Sequence, residues 1–493
     1  MGQHGSEYRK ILTRRVLLYG LLCFIAIVLP PIISRLNLKI VLKMSGNMRF
    51  ELFGMTMSMV LSAIWVMECR RIRIFTLKAV LPTMIFFLVA FHFLIHFSEY
   101  SQRSGDYGCY QDAVNALSHG RNPYDSSECY LYPPFPAQVM VIAQSCVRWG
   151  EVYFFHVASV DQADSSAEYN VFYVYQCVQF LLLLGMYLLC IRFVNGLGVG
   201  IIPASLLVAT VFLCNNPLIR TLKYNQMNLL VLDTMLVGFL AMENRPRLSG
   251  AAVALGIHIK LYPFVLVWQW LITRRYQPIL WLCAGFMGLL LLQSQMPGGI
   301  SGWGQFISFI NDFPKTTFPR DNSLHSLLFN TFRHSASLLR IDYMTHKIIA
   351  GIAEWVIAVA ILIWYLSRCR SREHSYRSAF RDIAGSSFEI RHIATISRDY
   401  GHFTDTCGII LLLSPLVWEH HYLLALPLIL FSIVTFGDRK PWLVGIASLL
   451  ILAIPTFDVF PLSYNRLFGL LTLLLATPPI VQIRKGWLST LTI

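Results

Sequence analysis

Asp106 opens the stretch Asp106-Tyr107-Gly108-Cys109-Tyr110-Gln111-Asp112-Ala113, in which Asp106, Tyr110 and Ala113 recur at spacings of four and three. That spacing predicts a short helix beginning at Asp106, with one face set against the rest of the molecule. A carboxylate so placed can take the proton of an attacking hydroxyl, or it can cap the helix N-terminus; the residues alone leave both readings open. Asp112 is the reserve carboxylate in the same stretch. Lys260, with His258 beside it, interrupts an apolar segment at 250–272. A cation there can stabilise charge developing on a leaving group, or snorkel to the membrane surface. His420 and His421 interrupt a second apolar segment beside Trp418 and Glu419, where an imidazole can hydrogen-bond a polar ligand or merely pack. No metal site is expected of the two histidines, because adjacent helical residues point about 100° apart. Asn225, Gln226 and Asn228 precede a further apolar run and either hydrogen-bond a polar ligand or cap and join helices. Between 296 and 347, Trp303 and Phe306 accompany Asn311, Asp312, Arg320, Asp321, Asn322 and Ser323, and Arg320 can grip a phosphate through two parallel hydrogen bonds.

The elements that must position these groups are membrane helices. Of the 493 residues, 56% are apolar and 13% are charged, against roughly 25% charged in a typical soluble protein. The apolar residues come in runs near 16–34, 51–69, 79–97, 171–191, 198–214, 227–242, 278–295, 348–366, 441–455 and 467–483, each of which predicts a spanning helix. Three more regions, 134–160, 250–272 and 407–436, are interrupted by polar residues and predict helical hairpins or broken helices. The formal charge of +14 does not call for nucleic acid, since the basic residues sit in short segments between apolar runs. With the N-terminus cytoplasmic, inner segments hold 24 Lys and Arg and outer segments 15, with Arg148 unassigned. The 368–406 loop with its seven arginines falls inside, and the loops 98–133 and 296–347 gather with the Trp418–Tyr422 break on the outer face. The eleven cysteines contain no CxxC pair, which argues against a zinc site or redox dithiol. Cys109 and Cys129 share one loop and can pair in an oxidising compartment. Arg9, Lys10, Arg14 and Arg15 precede the first apolar run with no small-residue cleavage site after it, which predicts a retained anchor.

Asp106-Tyr107-x-x-Tyr110-x-x-Ala113, followed by Gly120-Arg121-Asn122-Pro123-Tyr124 and Tyr132-Pro133-Pro134, resembles the first extracytoplasmic loop of the glycosyltransferase family 87 membrane proteins. Tyr224-Asn225-Gln226-Met227-Asn228 is similar to that family's Gly-Gln-x-Asn element. Ser249-Gly250 through Gly256-Ile257-His258-Ile259-Lys260-Leu261-Tyr262-Pro263 is similar to another, and Ser414-Pro415-Leu416-Val417-Trp418-Glu419-His420-His421 to its Ser-Pro-x-x-Trp-x-His-His. The resemblance implies an all-α polytopic membrane protein, a GT-C-type bundle of about 10–14 transmembrane or broken helices at 77–485; the two further spans at 1–76 form an N-terminal extension that departs from the family. It implies an inverting transfer of a sugar, by analogy mannose as in the phosphatidylinositol mannoside mannosyltransferases, from a polyprenyl-phosphate donor to a lipid or glycan acceptor outside a bacterial plasma membrane. Asp106 matches the position of the base. Lys260, His420, His421, His258, Gln226, Asn228, Arg320, Tyr110 and Asp112 are the candidate substrate contacts. No cofactor, metal, nucleic acid or obligate protein partner is implied. Asn225 departs from the family, which has Gly there. The competing reading is a transporter or lipid flippase, which the lack of a visible internal repeat disfavours; a scaffold that has lost activity is a third.

Overall fold

Lipid offers no partner to a backbone N–H or C=O, and every described apolar run is accordingly a helix. The structure is a computed structural model describing residues 85–94 except 87 and 91, and 101–477 except 102, 104, 127–128, 155–159, 314–320, 340–342, 382–387, 437–439 and 458. The N-terminal extension expected at 1–76, and Arg320, lie outside the described residues. Among the described residues there is no strand, and the chain is an all-α, multi-pass membrane protein. Asn170–Gly196, Tyr276–Gln293, Lys347–Ser378 and Glu419–Phe436 are each long and apolar enough to cross a bilayer. Ile201–Leu213 and Asn216–Lys223 form a further candidate bent by 62°.

Two hairpins dominate the architecture. In the first, Pro246–Ile259 rises to an extended Lys260 (φ −150, ψ 146), and the chain returns through a 3-10 turn, Tyr262–Val265, and the helix Leu266–Ile272. Pro263 causes the break, because it has no amide proton to offer the carbonyl of Ile259. In the second, Phe388–Leu413 ends just before Pro415, which likewise cannot serve Leu411, and Glu419–Ala425 and Leu426–Phe436 lead back. The feet of both hairpins meet at one end of the bundle. There Arg275 bonds Glu243 at 3.4 Å and Asp399 at 2.8 Å, Gln269 donates to the Asp399 carbonyl, and Arg368 pairs with Asp405. The tips, Lys260 and 414–421, stand at the other end, separated from the feet by the 14 residues of Pro246–Ile259, about 21 Å at 1.5 Å per residue. Gly250 lets that helix lie directly on the backbone of 278–282, where a Cβ would collide with Pro278 and Leu282 main-chain atoms.

Three expectations change. Arg148 and Trp149 do not interrupt the 134–154 stretch: Pro134–Phe154 is one continuous helix through both, and both are exposed. The 296–347 loop carries two helices, Ser301–Asp312 and Leu324–Leu339. The 368–406 loop is largely the ends of two long helices, Tyr343–Arg381 and Phe388–Leu413. Arg368, Arg372 and Arg398 are drawn in because a carboxylate on the facing helix pairs with each: Asp405 with the first two and Glu373 with the third.

Candidate active site

The two hairpin tips, the start of Asp106–Ser118 and one face of Ser301–Asp312 enclose a cavity of about 750 Å³. Its lining includes Asp106, Gln226, Lys260, His420 and His421, together with Tyr132, Arg220, Tyr224, Tyr262, Phe306, Asn311 and Glu419. The groups scattered from 106 to 421 thus share one space.

Asp106 does not cap its helix. Gly105 holds the cap position with φ +74, a left-handed conformation that glycine adopts without penalty, and no side-chain cap bond forms. The half-buried carboxylate is left to face the cavity. Burial pushes its carboxyl above the ordinary value, against the lowering effects of a Gln226 hydrogen bond and the Lys260 charge. Gln226 is oriented by its neighbours: its side-chain oxygen accepts from Tyr132 Oη, so its amide nitrogen is the end that donates to Asp106. Its carbonyl accepts from Gln179 at 2.9 Å, and the carbonyl of Asn225 accepts from Tyr175. Asn225 has φ 54, and asparagine is the side-chain-bearing residue that best tolerates the region glycine would otherwise supply. The substitution therefore preserves the turn, and Asn225 Nδ2 gains a 2.9 Å bond to Ser101. A Cys109–Cys129 disulfide ties the Asp106 helix to the segment that carries Tyr132.

Lys260 Nζ donates to Asn228 Oδ1 at 2.8 Å, lies 3.2 Å from His421 Nε2 and sits 4.8 Å over the Tyr132 ring. His421 Nδ1 accepts from the Trp418 amide at 3.0 Å, which assigns the proton of a neutral imidazole to Nε2. Nε2–H and the Lys260 ammonium are then two donors side by side, an arrangement satisfied by an anionic oxygen that accepts from both. The His420 carbonyl accepts from Asn228 and Thr221, which holds the tip in register with the Asn216–Lys223 helix.

Other candidates are placed elsewhere. Asp112 is exposed and outside the cavity lining, because six residues at about 100° each carry it to the far face from Asp106. Tyr110 is fully buried behind the cavity, packed on Tyr107, Tyr130, Tyr132 and Tyr175. His258 is turned away from the cavity: its ring bonds Gln293 at 2.7 Å and packs on Phe286 and Trp303, whose indole also bonds Gln293. Asp321 accepts from the Ser323 and Val417 amides, and Asn322 joins Val417, so these residues brace the 414–421 tip.

The sequence reading missed Arg220, Tyr132 and Tyr262. Arg220 stood among basic residues counted only for topology. A signal was nonetheless present: Asn215-Asn216-Pro217 is a helix start, and Asn215 Oδ1 accepts from the Leu218 amide at 3.0 Å. That start turns a second short helix 62° away from Ile201–Leu213, and Arg220 on it lines the cavity. Residues 130–388 match the description Glycosyltransferase family 87. No curated protein and no solved structure matches the chain.

Proposed function

The chain belongs to glycosyltransferase family 87 and is a membrane glycosyltransferase, and from that premise we propose that it moves a sugar from a polyprenyl-phosphate donor to a hydroxyl of a lipid or glycan acceptor, with inversion. The acceptor oxygen attacks the anomeric carbon, its proton passes to Asp106, and the bond from that carbon to the phosphate oxygen breaks with its electron pair remaining on the phosphate. Lys260 and His421, with His420 beside them, hold that phosphate, and Gln226 aims the carboxylate. The observation that carries the reading is the convergence of Asp106 with the paired Lys260 and His421 donors on one cavity. Base and phosphate site are the two functions a single displacement needs. Mannose as the sugar rests on the family resemblance.

The cavity opens at the hairpin tips, opposite the feet that bear Arg275, Arg368, Arg372 and Arg398. Arginine-rich ends remain on the cytoplasmic side, which supports an extracytoplasmic site in a bacterial plasma membrane. The Cys109–Cys129 disulfide beside the cavity fits an oxidising compartment. The test is transfer of radiolabel from polyprenyl-phosphate-mannose to endogenous lipid in membranes holding wild type or Asp106→Asn at equal abundance. Transfer by wild type alone is expected. Transfer by both would remove the base role from Asp106, and transfer by neither would overturn the donor.

A further inference from the structure

The reaction proposed above moves a full negative charge across the cavity. Before transfer, one negative charge lies on the Asp106 carboxylate and one on the donor phosphodiester; afterwards Asp106 is neutral and the phosphate is a monoester carrying both. A cation near the base serves the start of that displacement, and a cation near the phosphate must serve its end. Lys260 interacts electrostatically with Asp106 and belongs to its cluster through Tyr132 and Gln226. Arg220 lines the same cavity from a different element, the Asn216–Lys223 helix.

The surroundings of Arg220 are built to fix its direction. Its Nε lies 3.6 Å from Glu419, its Nη1 donates to Tyr224 Oη at 3.2 Å, and both partners also line the cavity. Glu419 is itself shared with Arg466, a fully buried guanidinium that also bonds Thr456. One carboxylate between two guanidiniums leaves the cluster with a net positive charge, and Arg220 is the cation of the cluster that lines the cavity, beside Glu419. Glu419 is joined in sequence to His420 and His421, so any movement of the donor pair and of this cluster is coupled.

We propose that Arg220 is a second phosphate-binding residue of the site, gripping the phosphate of a lipid substrate from a different element than Lys260 and His421. The proposal rests on the glycosyltransferase reading above. The phosphate belongs either to the donor or to an acceptor that is itself phosphorylated, and a guanidinium suits either through paired hydrogen bonds.

The experiment measures binding of a short-chain polyprenyl phosphate, and of the matching uncharged polyprenol, to the full-length protein in detergent, for wild type, Arg220→Gln and Arg220→Lys. It is accompanied by KM values for donor and acceptor in the transfer assay. Arg220→Gln should weaken the phosphate about tenfold or more while leaving the polyprenol unchanged. Arg220→Lys retains a cation against Glu419, preserves the fold and should fall between. A tenfold rise confined to the acceptor KM, with polyprenyl-phosphate binding intact, would assign Arg220 to a phosphate on the acceptor. Unchanged binding and unchanged KM values in both variants would overturn the role of Arg220 alone. A wild-type protein that binds phosphate and polyprenol equally would overturn the donor reading and this inference together.

Discussion

Two clusters in which one carboxylate lies between two arginines, one at each end of the hairpins, have opposite surroundings. At the feet of the hairpins, Asp405 receives Arg368 through both oxygens, at 2.9 and 3.0 Å, and Arg372 at 3.0 Å, and all three side chains are nearly sealed from solvent. At the tips, Glu419 lies between Arg220 and Arg466, but Glu419 and Arg220 remain 15% and 17% exposed and face the cavity. The first cluster directs its hydrogen bonds inward: Arg368 also donates to the Thr477 carbonyl, joining three helices. The second keeps a polar edge open. The same ions serve architecture where packing closes over them and can serve a substrate where it does not. Side-chain type alone does not separate these roles; the neighbouring volume does.

That distinction can be broken most sharply at Asp106. Asp106→Asn should lower transfer by about 10²–10⁴-fold, the usual range for a general base, with an unchanged thermal midpoint. A large loss of stability in this variant would place Asp106 with Asp405 among the structural carboxylates. Asp405→Asn should do the reverse. It leaves two buried guanidiniums without their carboxylate, for a loss of about 3–5 kcal/mol in stability, while transfer per folded molecule stays near wild type. Thermal unfolding in detergent, set beside activity normalised to folded protein, reads both quantities. Lys260→Gln should cost about tenfold to a hundredfold in kcat/KM, corresponding to loss of a charge-assisted hydrogen bond at the phosphate. The pH profile sharpens the comparison further. Burial raises the Asp106 carboxyl, so the base is present above that raised value and is lost as pH falls through it. The acid limb of kcat/KM should therefore lie above the ordinary carboxylate value of about 3.9. The smallest expected effect is at Asn225. Asn225→Ala must enter the left-handed region at a cost of about 1 kcal/mol, whereas Asn225→Gly enters it freely. Equal activities for the two, both below wild type, would show that the bond to Ser101, and not the backbone, positions Gln226.

Much of this geometry was legible in the chain. The spacing of Asp106, Tyr110 and Ala113 gave the helix and its first residue, and the polar interruptions at Lys260 and at 414–421 gave the two hairpin tips, because proline and charge in an apolar run leave few alternatives. The meeting of three polar stretches at one end followed from alternating spans. What stayed hidden depended on packing. His258 and Lys260 are two residues apart and look equivalent in sequence, yet His258 stays in the helix and turns to Gln293, whereas Lys260 lies past the helix end in an extended conformation and reaches the cavity. Arg148 suggested a break in a helix that simply leaves it exposed. Arg220 required the 62° bend after Leu213, and a bend fixes direction in a way that residue counting does not.

The glycine at 250 has a reach that its size does not suggest. Its Cα lies against the main chain of 278–282, so no side chain yields if a methyl group is added there; the helix itself must move. Pro246–Ile259 is a rigid rod with Lys260 at its end, about 15 Å beyond Gly250. A displacement at the contact is thus carried along the rod and delivered to the ammonium group at the cavity. The position of the charge is set at a helix crossing far from any substrate, and selection on catalysis can act there through a residue that has no side chain.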